Sequence, residues 1–386
     1  MRVAVVAGPD PGHAFPAIAL CIRFLAAADT PILLTGANWF DAARSAGVDT
    51  VELAGLEATD EDRDAGARIH QRAAHMAVLN VPQLRALAPD LVVSDVITAA
   101  GGMAAELLGI PWIELNPHPL YLPSKGLPPL GSGLAPGRGA VGRLRDAAMR
   151  ALTARSWRQG LRQRATARAG IGLPACDPGP LRRLIATLPA LEVPRPDWPA
   201  EAVIVGPLHF EPTGRLLPIP PGTGPVVVVA PSTAASGAGG VAELALRCLI
   251  PGDTLPAGSR LVVSRLSGVE LNLPPWAVAG LGRQDELLKH ADLLICGGGH
   301  GIVAKSLLAG VPMVVVPGGG DQWEIANRVV RQGSGRLVRP LTAEALIAAV
   351  GEVLSSARYR AAARQAAASL TEVADPVRVC RQAVAG

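Results

Sequence analysis

His13 sits in the stretch GPDPGHAFP (residues 8–16), directly after an apolar run and at the start of a helical pattern. An imidazole there can take a proton near neutral pH. A helix amino terminus disfavours the imidazolium, so the position predicts a lowered His13 pKa and a neutral base. A single histidine in a loop serves structure as readily as catalysis. Asp95 closes a second apolar run, LVVSDV (residues 91–96). If both runs are strands of one parallel sheet, Asp95 reaches the same edge as His13. It would then orient the imidazole and stabilise its protonated form. Used as a helix N-cap, it would do neither.

A third stretch holds the most chemistry: LLICGGGHGIVAKSLLAGVPMVVVPGGGDQWEIAN (residues 293–327). A strand runs into Gly297, Gly298, Gly299, His300 and Gly301, and then into a helix. Glycines there let backbone N–H groups approach an anion, and the helix dipole stabilises negative charge. A second strand ends in PGGG, followed by Asp321 and Gln322 at the next helix start. One side chain that only accepts hydrogen bonds beside one that donates and accepts suits sugar hydroxyls. A loop at residues 116–129, NPHPLYLPSKGLPP, carries His118, Tyr121 and Lys125 after the fifth expected strand. It serves either as a wall of an acceptor pocket or as a shaped structural loop.

The elements that must position these residues follow from the apolar pattern. Strands are expected at 2–8, 31–35, 48–53, 91–94 and 111–115, with helices between them such as 14–28 and 99–108. Fully apolar strands alternating with helices predict a parallel sheet covered on both faces. From 191 to 225 the period is lost in a run holding nine prolines, with a strand only at 201–205. Such a run reads as a linker. The alternation then restarts, with strands at 226–230, 260–264, 277–280, 293–296 and 313–317 and helices at 284–290, 300–308 and 323–332. The stretch 342–385 is helical by composition. The pattern predicts two doubly wound α/β domains, with ligands in the cleft at the carboxyl ends of the strands.

Composition narrows the function classes. The chain is 49% hydrophobic and 18% charged, which excludes a disordered or collagen-like protein. No apolar run reaches the ~20 residues that span a bilayer. The amino-terminal stretch reads as a strand rather than a signal peptide, so a cytoplasmic protein is expected. The five cysteines are scattered and form no metal-binding spacing. Reduced thiols and no metal site are expected. Between Arg138 and Arg168 lie nine arginines and one acid, Asp146. Aromatics are only 3%, too few for base-stacking platforms, so no nucleic-acid partner is expected. This segment reads as a solvated helix face or as a peripheral contact with an anionic membrane.

At this point the chain resembles the family 1 glycosyltransferases of the GT-B fold, especially bacterial enzymes that decorate natural products. The likeness rests on Gly8, Gly12, His13 and Pro16, on Asp95 in PDLVVSD, on the following AAELLGIP, and on a donor box from Arg283 to Gln322. It implies an acceptor-binding Rossmann-like domain at 1–205, a Pro-rich linker at 206–224 and a donor-binding domain at 225–358. A carboxy-terminal helix at about 359–386 would return to the first domain. It further implies an inverting, metal-independent transfer with no resident cofactor, a nucleotide-diphosphate sugar (UDP or dTDP) being the co-substrate and a natural product or lipid the acceptor. His13 would be the general base and Asp95 its orienting partner. Ser232, Thr233, Gln284 and the glycine loop would hold the donor, with Asp321 and Gln322 on the sugar. Pro16, His118 and Tyr121 would face the acceptor.

Four departures stand out. Gly297 replaces the family's phosphate-contacting histidine, Ile302 its Thr or Ser, Lys305 its ribose-binding Glu, and Arg283 its Pro. His300 is expected to stand in as phosphate ligand, and Arg283 with Lys305 to clamp a further phosphate. Two other functions fit the same fold: a sugar-nucleotide 2-epimerase, or a non-catalytic binding protein that has lost its donor site.

Overall fold

The computed structural model describes residues 1–57, 67–234, 236–266 and 272–385. The apolar runs of the first half pair in parallel into a seven-stranded sheet of order β3-β2-β1-β4-β5-β6-β7. Its strands are β1 Arg2–Val6, β2 Thr30–Thr35, β3 Asp49–Glu52, β4 Leu91–Asp95, β5 Trp112–Asn116, β6 Arg183–Ile185 and β7 Ala202–Ile204. The second half forms a six-stranded parallel sheet of order β10-β9-β8-β11-β12-β13. There β8 is Val226–Ala230, β9 Arg260–Ser264, β10 Ala277–Gly280, β11 Leu293–Cys296, β12 Met313–Val315 and β13 Gly335–Leu337. Central strands β1, β4, β8 and β11 are buried nearly throughout, because helices cover both faces of each sheet.

Strands β6 and β13 are not legible in the apolar pattern. Each has three residues and includes an arginine, and each exists because a neighbouring strand offers it a ladder. The Pro-rich stretch after β7 holds neither helix nor strand as far as β8. Its Leu208 and Phe210 bury in the first core and its Leu217 in the second, so the chain crosses between them.

The carboxy-terminal return is shorter than the 359–386 expected. In the helix Ala357–Ala368, Ala363 and Ala366 bury in the core of the second sheet, beside the helix His300–Leu308. Only Pro376–Ala385 lies on the first domain, where Val377, Val379 and Cys380 join its core. The reason is local: the alanine face of the earlier helix fits the second domain, and the 3-10 turn Ser369–Glu372 redirects the chain. All five cysteines are free thiols. Among the described residues, no helix is long and apolar enough to cross a membrane.

Candidate active site

Each sheet reverses its winding between two strands, β1 and β4 in the first and β8 and β11 in the second. Loops leaving the carboxyl ends of such strands diverge and leave a crevice. His13 lies in the first turn of the helix Pro11–Ala26 after β1, and Asp10 caps that helix by accepting from the Gly12 N–H at 2.9 Å. Asp95 ends β4. The pairing of β1 with β4 brings them together: His13 Nδ1 and Asp95 Oδ1 are 2.7 Å apart.

Asp95 is not the N-cap of the helix Ala100–Leu108, whose cap is Ala99 with no side-chain hydrogen bond; the two Asp95 oxygens serve His13 and the turn before that helix. Oδ1 holds His13, while Oδ2 accepts from the N–H groups of Ile97 and Thr98 and from the Thr98 hydroxyl, each at 3.2 Å. The Thr98 hydroxyl also accepts from the Gly8 N–H at 2.8 Å, tying the two loops. Burial by itself lowers the His13 pKa, but the charge and hydrogen bond of Asp95, with smaller contributions from Asp10 and Asp321, outweigh it and raise the pKa above 6.5. The lowered value expected from the helix terminus is therefore corrected: a carboxylate in contact outweighs a partial dipole charge.

The cleft between the sheets is lined from the first domain by His13, Pro16 and His118, and from the second by Ser232, Thr233, Gln284, Gly297, Gly299, His300, Gly301, Lys305, Asp321 and Gln322. His118 stacks on Tyr121 with centroids 4.4 Å apart, and its Nδ1 donates to the Pro119 carbonyl at 2.8 Å. Burial lowers its pKa, which favours the neutral ring. Tyr121 lies in a smaller cavity behind the dyad, together with Asp95 and Asn116. Its hydroxyl stands 3.4 Å from Asp321 Oδ2 across the interface.

On the donor side, Gly298 takes φ +84°, a left-handed turn that glycine adopts without strain. A Cβ at Gly297 would stand 2.8 Å from the Ser232 Cβ, so the missing side chain is what lets the two loops meet. Gln322 is pinned behind them. Its Nε2 donates to Ser232 Oγ at 2.7 Å and its Oε1 accepts from the Gly318 N–H at 2.9 Å. Asp321 beside it is exposed. The helix His300–Leu308 has no side-chain cap, and its first residues His300, Gly301 and Ile302 line the cleft.

Three expected donor contacts are corrected. His300 turns away from the glycine loop: its Nε2 is 2.9 Å from Thr187 Oγ1, and it also bonds the Pro117 backbone. Burial drives its pKa down to about 3. A neutral ring bonded at both nitrogens fastens the domains together and leaves nothing for a phosphate. Arg283 lies outside the cleft wall, because the neighbouring Asp285 takes its guanidinium at 3.0 Å. Lys305 lines the cleft, but Glu211 neutralises it at 2.6 Å. No two-cation clamp forms.

Glu211 is the residue the sequence reading missed. It lies in the proline-rich crossover, where no period marks it. Its carboxylate also accepts from the N–H groups of Gln284 and Asp285, at 3.1 and 3.2 Å. The signal was indirect: a lysine at position 305 needs a carboxylate from elsewhere. No group of three or more His, Cys, Asp or Glu suited to a metal ion occurs among the described residues.

Two parallel Rossmann-like sheets facing across a cleft, with a hydrogen-bonded His–Asp pair on one side and a glycine-rich helix start on the other, fit the GT-B class. Comparison with known proteins agrees. Residues 278–385 match the family model described as the erythromycin biosynthesis protein CIII-like, C-terminal domain. The chain is 32% identical over 294 residues to 4'-demethylrebeccamycin synthase of Lentzea aerocolonigenes, covering 70% of this chain and 68% of that protein. It is 31% identical over 128 residues to L-demethylnoviosyl transferase of Streptomyces niveus, covering 30% and 34%. Among solved structures, the glycotransferase of kitacinnamycin superposes with TM-score 0.74 at 23% identity, over 99% of this chain and 97% of that one. The spinosyn forosaminyltransferase SpnP gives TM-score 0.75 at 18% identity over both whole chains. The chain belongs to the family 1 glycosyltransferases of natural-product type.

Proposed function

We propose that the protein transfers a sugar, with inversion, from a nucleoside-diphosphate donor to a hydroxyl of a natural product or lipid. The observation that carries this is the His13–Asp95 contact at the cleft, opposite the glycine loop. Nδ1–H of His13 donates to Asp95, which leaves Nε2 to act. The acceptor O–H gives its proton to Nε2 while its oxygen bonds the anomeric carbon. The bond from that carbon to the diphosphate oxygen breaks, and its electron pair leaves with the diphosphate. Asp95 stabilises the imidazolium that forms. The first N–H groups of the helix His300–Leu308 and its dipole take the charge of the leaving group. This scheme uses neither a metal ion nor a resident cofactor.

Asp321 suits donor-sugar hydroxyls, with Gln322 holding the loop in shape behind it. Glu211 supplies, from the crossover, the hydrogen-bond acceptor for ribose that Lys305 cannot be. A Streptomyces glycosyltransferase, SsfS6, and the spinosyn rhamnosyltransferase SpnG, both of this fold, are known in complexes with thymidine diphosphate, which favours a dTDP-sugar. The transferase and synthase names of the relatives favour transfer over epimerisation or binding alone.

The test is thermal unfolding with dTDP, UDP, GDP or ADP, followed by turnover of the matching sugar donor. One nucleotide should raise the midpoint; at ~100 times its Kd the gain is ~2.7 kcal/mol. His13→Ala should keep that shift and lose ~10²–10⁴ in turnover. Normal turnover in a folded His13→Ala variant would remove His13 from the reaction.

A further inference from the structure

The helix Gly139–Gly170 has 32 residues, about 48 Å at 1.5 Å per residue, yet it buries only Asp146, Ala167 and Arg168. Its carboxyl end is fastened by Arg168 on Glu106 at 2.7 Å. Near its amino end, Arg150 donates to the Leu127 carbonyl at 2.8 Å and Asp146 accepts from the Gly137 N–H at 2.7 Å. Arg164 pairs with Asp177 and the segment 67–71 packs alongside the carboxyl half, but most residues between Ala147 and Arg162 are exposed. A helix stretch without tertiary cover gains little from propensity alone, so one of this length calls for a partner.

The exposed surface has a pattern. Val141, Leu144 and Leu152 are 84%, 71% and 82% exposed. At 3.6 residues per turn, these three and Ala148 fall within an arc of about 80°. Arg155, Arg158 and Arg162 continue along the same side. Trp157 and Leu161, about half exposed, emerge on the opposite side. Arg138, Arg143, Arg155, Arg158 and Arg162 form no ion pair among the described residues. The helix carries eight arginines and one acid. Two copies laid face to face would set arginine against arginine. The partner must offer an apolar layer beside a dense negative one, and an anionic lipid surface does both.

We propose that this helix docks the protein on an anionic membrane. The side chains of Val141, Leu144 and Leu152 seat at the headgroup boundary, and Arg155, Arg158 and Arg162 contact lipid phosphates. Arg150, which ties the helix to the loop that carries Tyr121 and Leu127, lies about 180° around the helix from Val141, so that loop sits on the side of the helix away from the lipid. This inference goes beyond the transferase reading, and its test uses neither donor nor acceptor.

The experiment is co-sedimentation with vesicles of phosphatidylglycerol and phosphatidylcholine against phosphatidylcholine alone, at low and high salt. The protein should pellet with the anionic vesicles only, and less at high salt. Leu144→Glu with Leu152→Glu should abolish binding. Arg155→Gln, Arg158→Gln and Arg162→Gln together should weaken it about a hundredfold, from about fivefold per arginine. All are exposed positions, so the unfolding midpoint should not move. Equal sedimentation with both vesicle types would overturn the proposal. So would a Leu144→Glu, Leu152→Glu variant that binds as the parent does. A parent dimer that this variant splits, without vesicle binding, would make the face a subunit contact instead.

Discussion

At the scale of single residues, the proposed reaction rests on how Asp95 divides its two oxygens. One is spent on the turn at Ile97 and Thr98, so the other cannot swing away from His13. The raised His13 pKa has a sign that can be tested. A base must be neutral to act, so the acid limb of the kcat/KM profile should lie above pH 6.5. In Asp95→Asn the largest raising influence is gone and burial acts with less opposition. The limb should then move to lower pH while maximal turnover falls. A limb that stays in place would mean that another group titrates. The same pair stabilises the fold fully below pH 6.5, and that contribution fades as pH rises through the raised folded value.

At the scale of elements, the proline-rich crossover does more than join two domains. Phe210 packs edge-on against Phe15 of the His13 helix, at 5.7 Å between centroids. One residue further, Glu211 meets Lys305 and the start of the short helix Gln284–Leu288. Lys305 and Glu211 are only 9% and 11% exposed, so neither charge can fall back on water. Glu211→Gln should therefore cost about 3 kcal/mol of stability in chemical denaturation. Adding Lys305→Met to Glu211→Gln should recover part of it, because no charge is then left unpaired while the Gln side-chain oxygen still accepts from the Gln284 and Asp285 N–H groups. A single variant as stable as the parent would show that the pair is dispensable.

At the scale of the whole molecule, closure depends on polar contacts between the domains. Arg328, 3% exposed in the helix Gln322–Gln332, donates to the Leu191 carbonyl at 2.9 Å and pairs with Glu192 at 3.4 Å. Its guanidinium lies 5.6 Å from the Tyr121 ring. Even with Arg328 in place, burial raises the Glu192 pKa above 4.5. In Arg328→Met that rise should grow, leaving a buried carboxyl group that holds its proton longer when folded than when unfolded. Stability of the variant should then fall by about 3 kcal/mol near neutral pH and should decline as pH rises above 4.5. Small-angle scattering should also report a larger radius of gyration. An unchanged pH dependence would count against Glu192 as the affected group.

Sequence by itself determined the two parallel sheets, because runs such as Val226–Ala230 are apolar on both faces and can be satisfied only between helix layers. It also determined the loops that carry His13, Asp95 and the glycine turn, since strand ends and helix starts leave local marks. Short edge strands such as Arg183–Ile185 left none, because their ladders come from a neighbour rather than from their own side chains. Tertiary structure alone decided the upward direction of the His13 pKa, the turning of His300 toward Thr187, and the partners of Arg283 and Lys305. Those outcomes depend on atoms far apart in the chain and only a few ångströms apart in space. A linear pattern records which groups are present, but the field and hydrogen bonds at each group are set by its neighbours after folding.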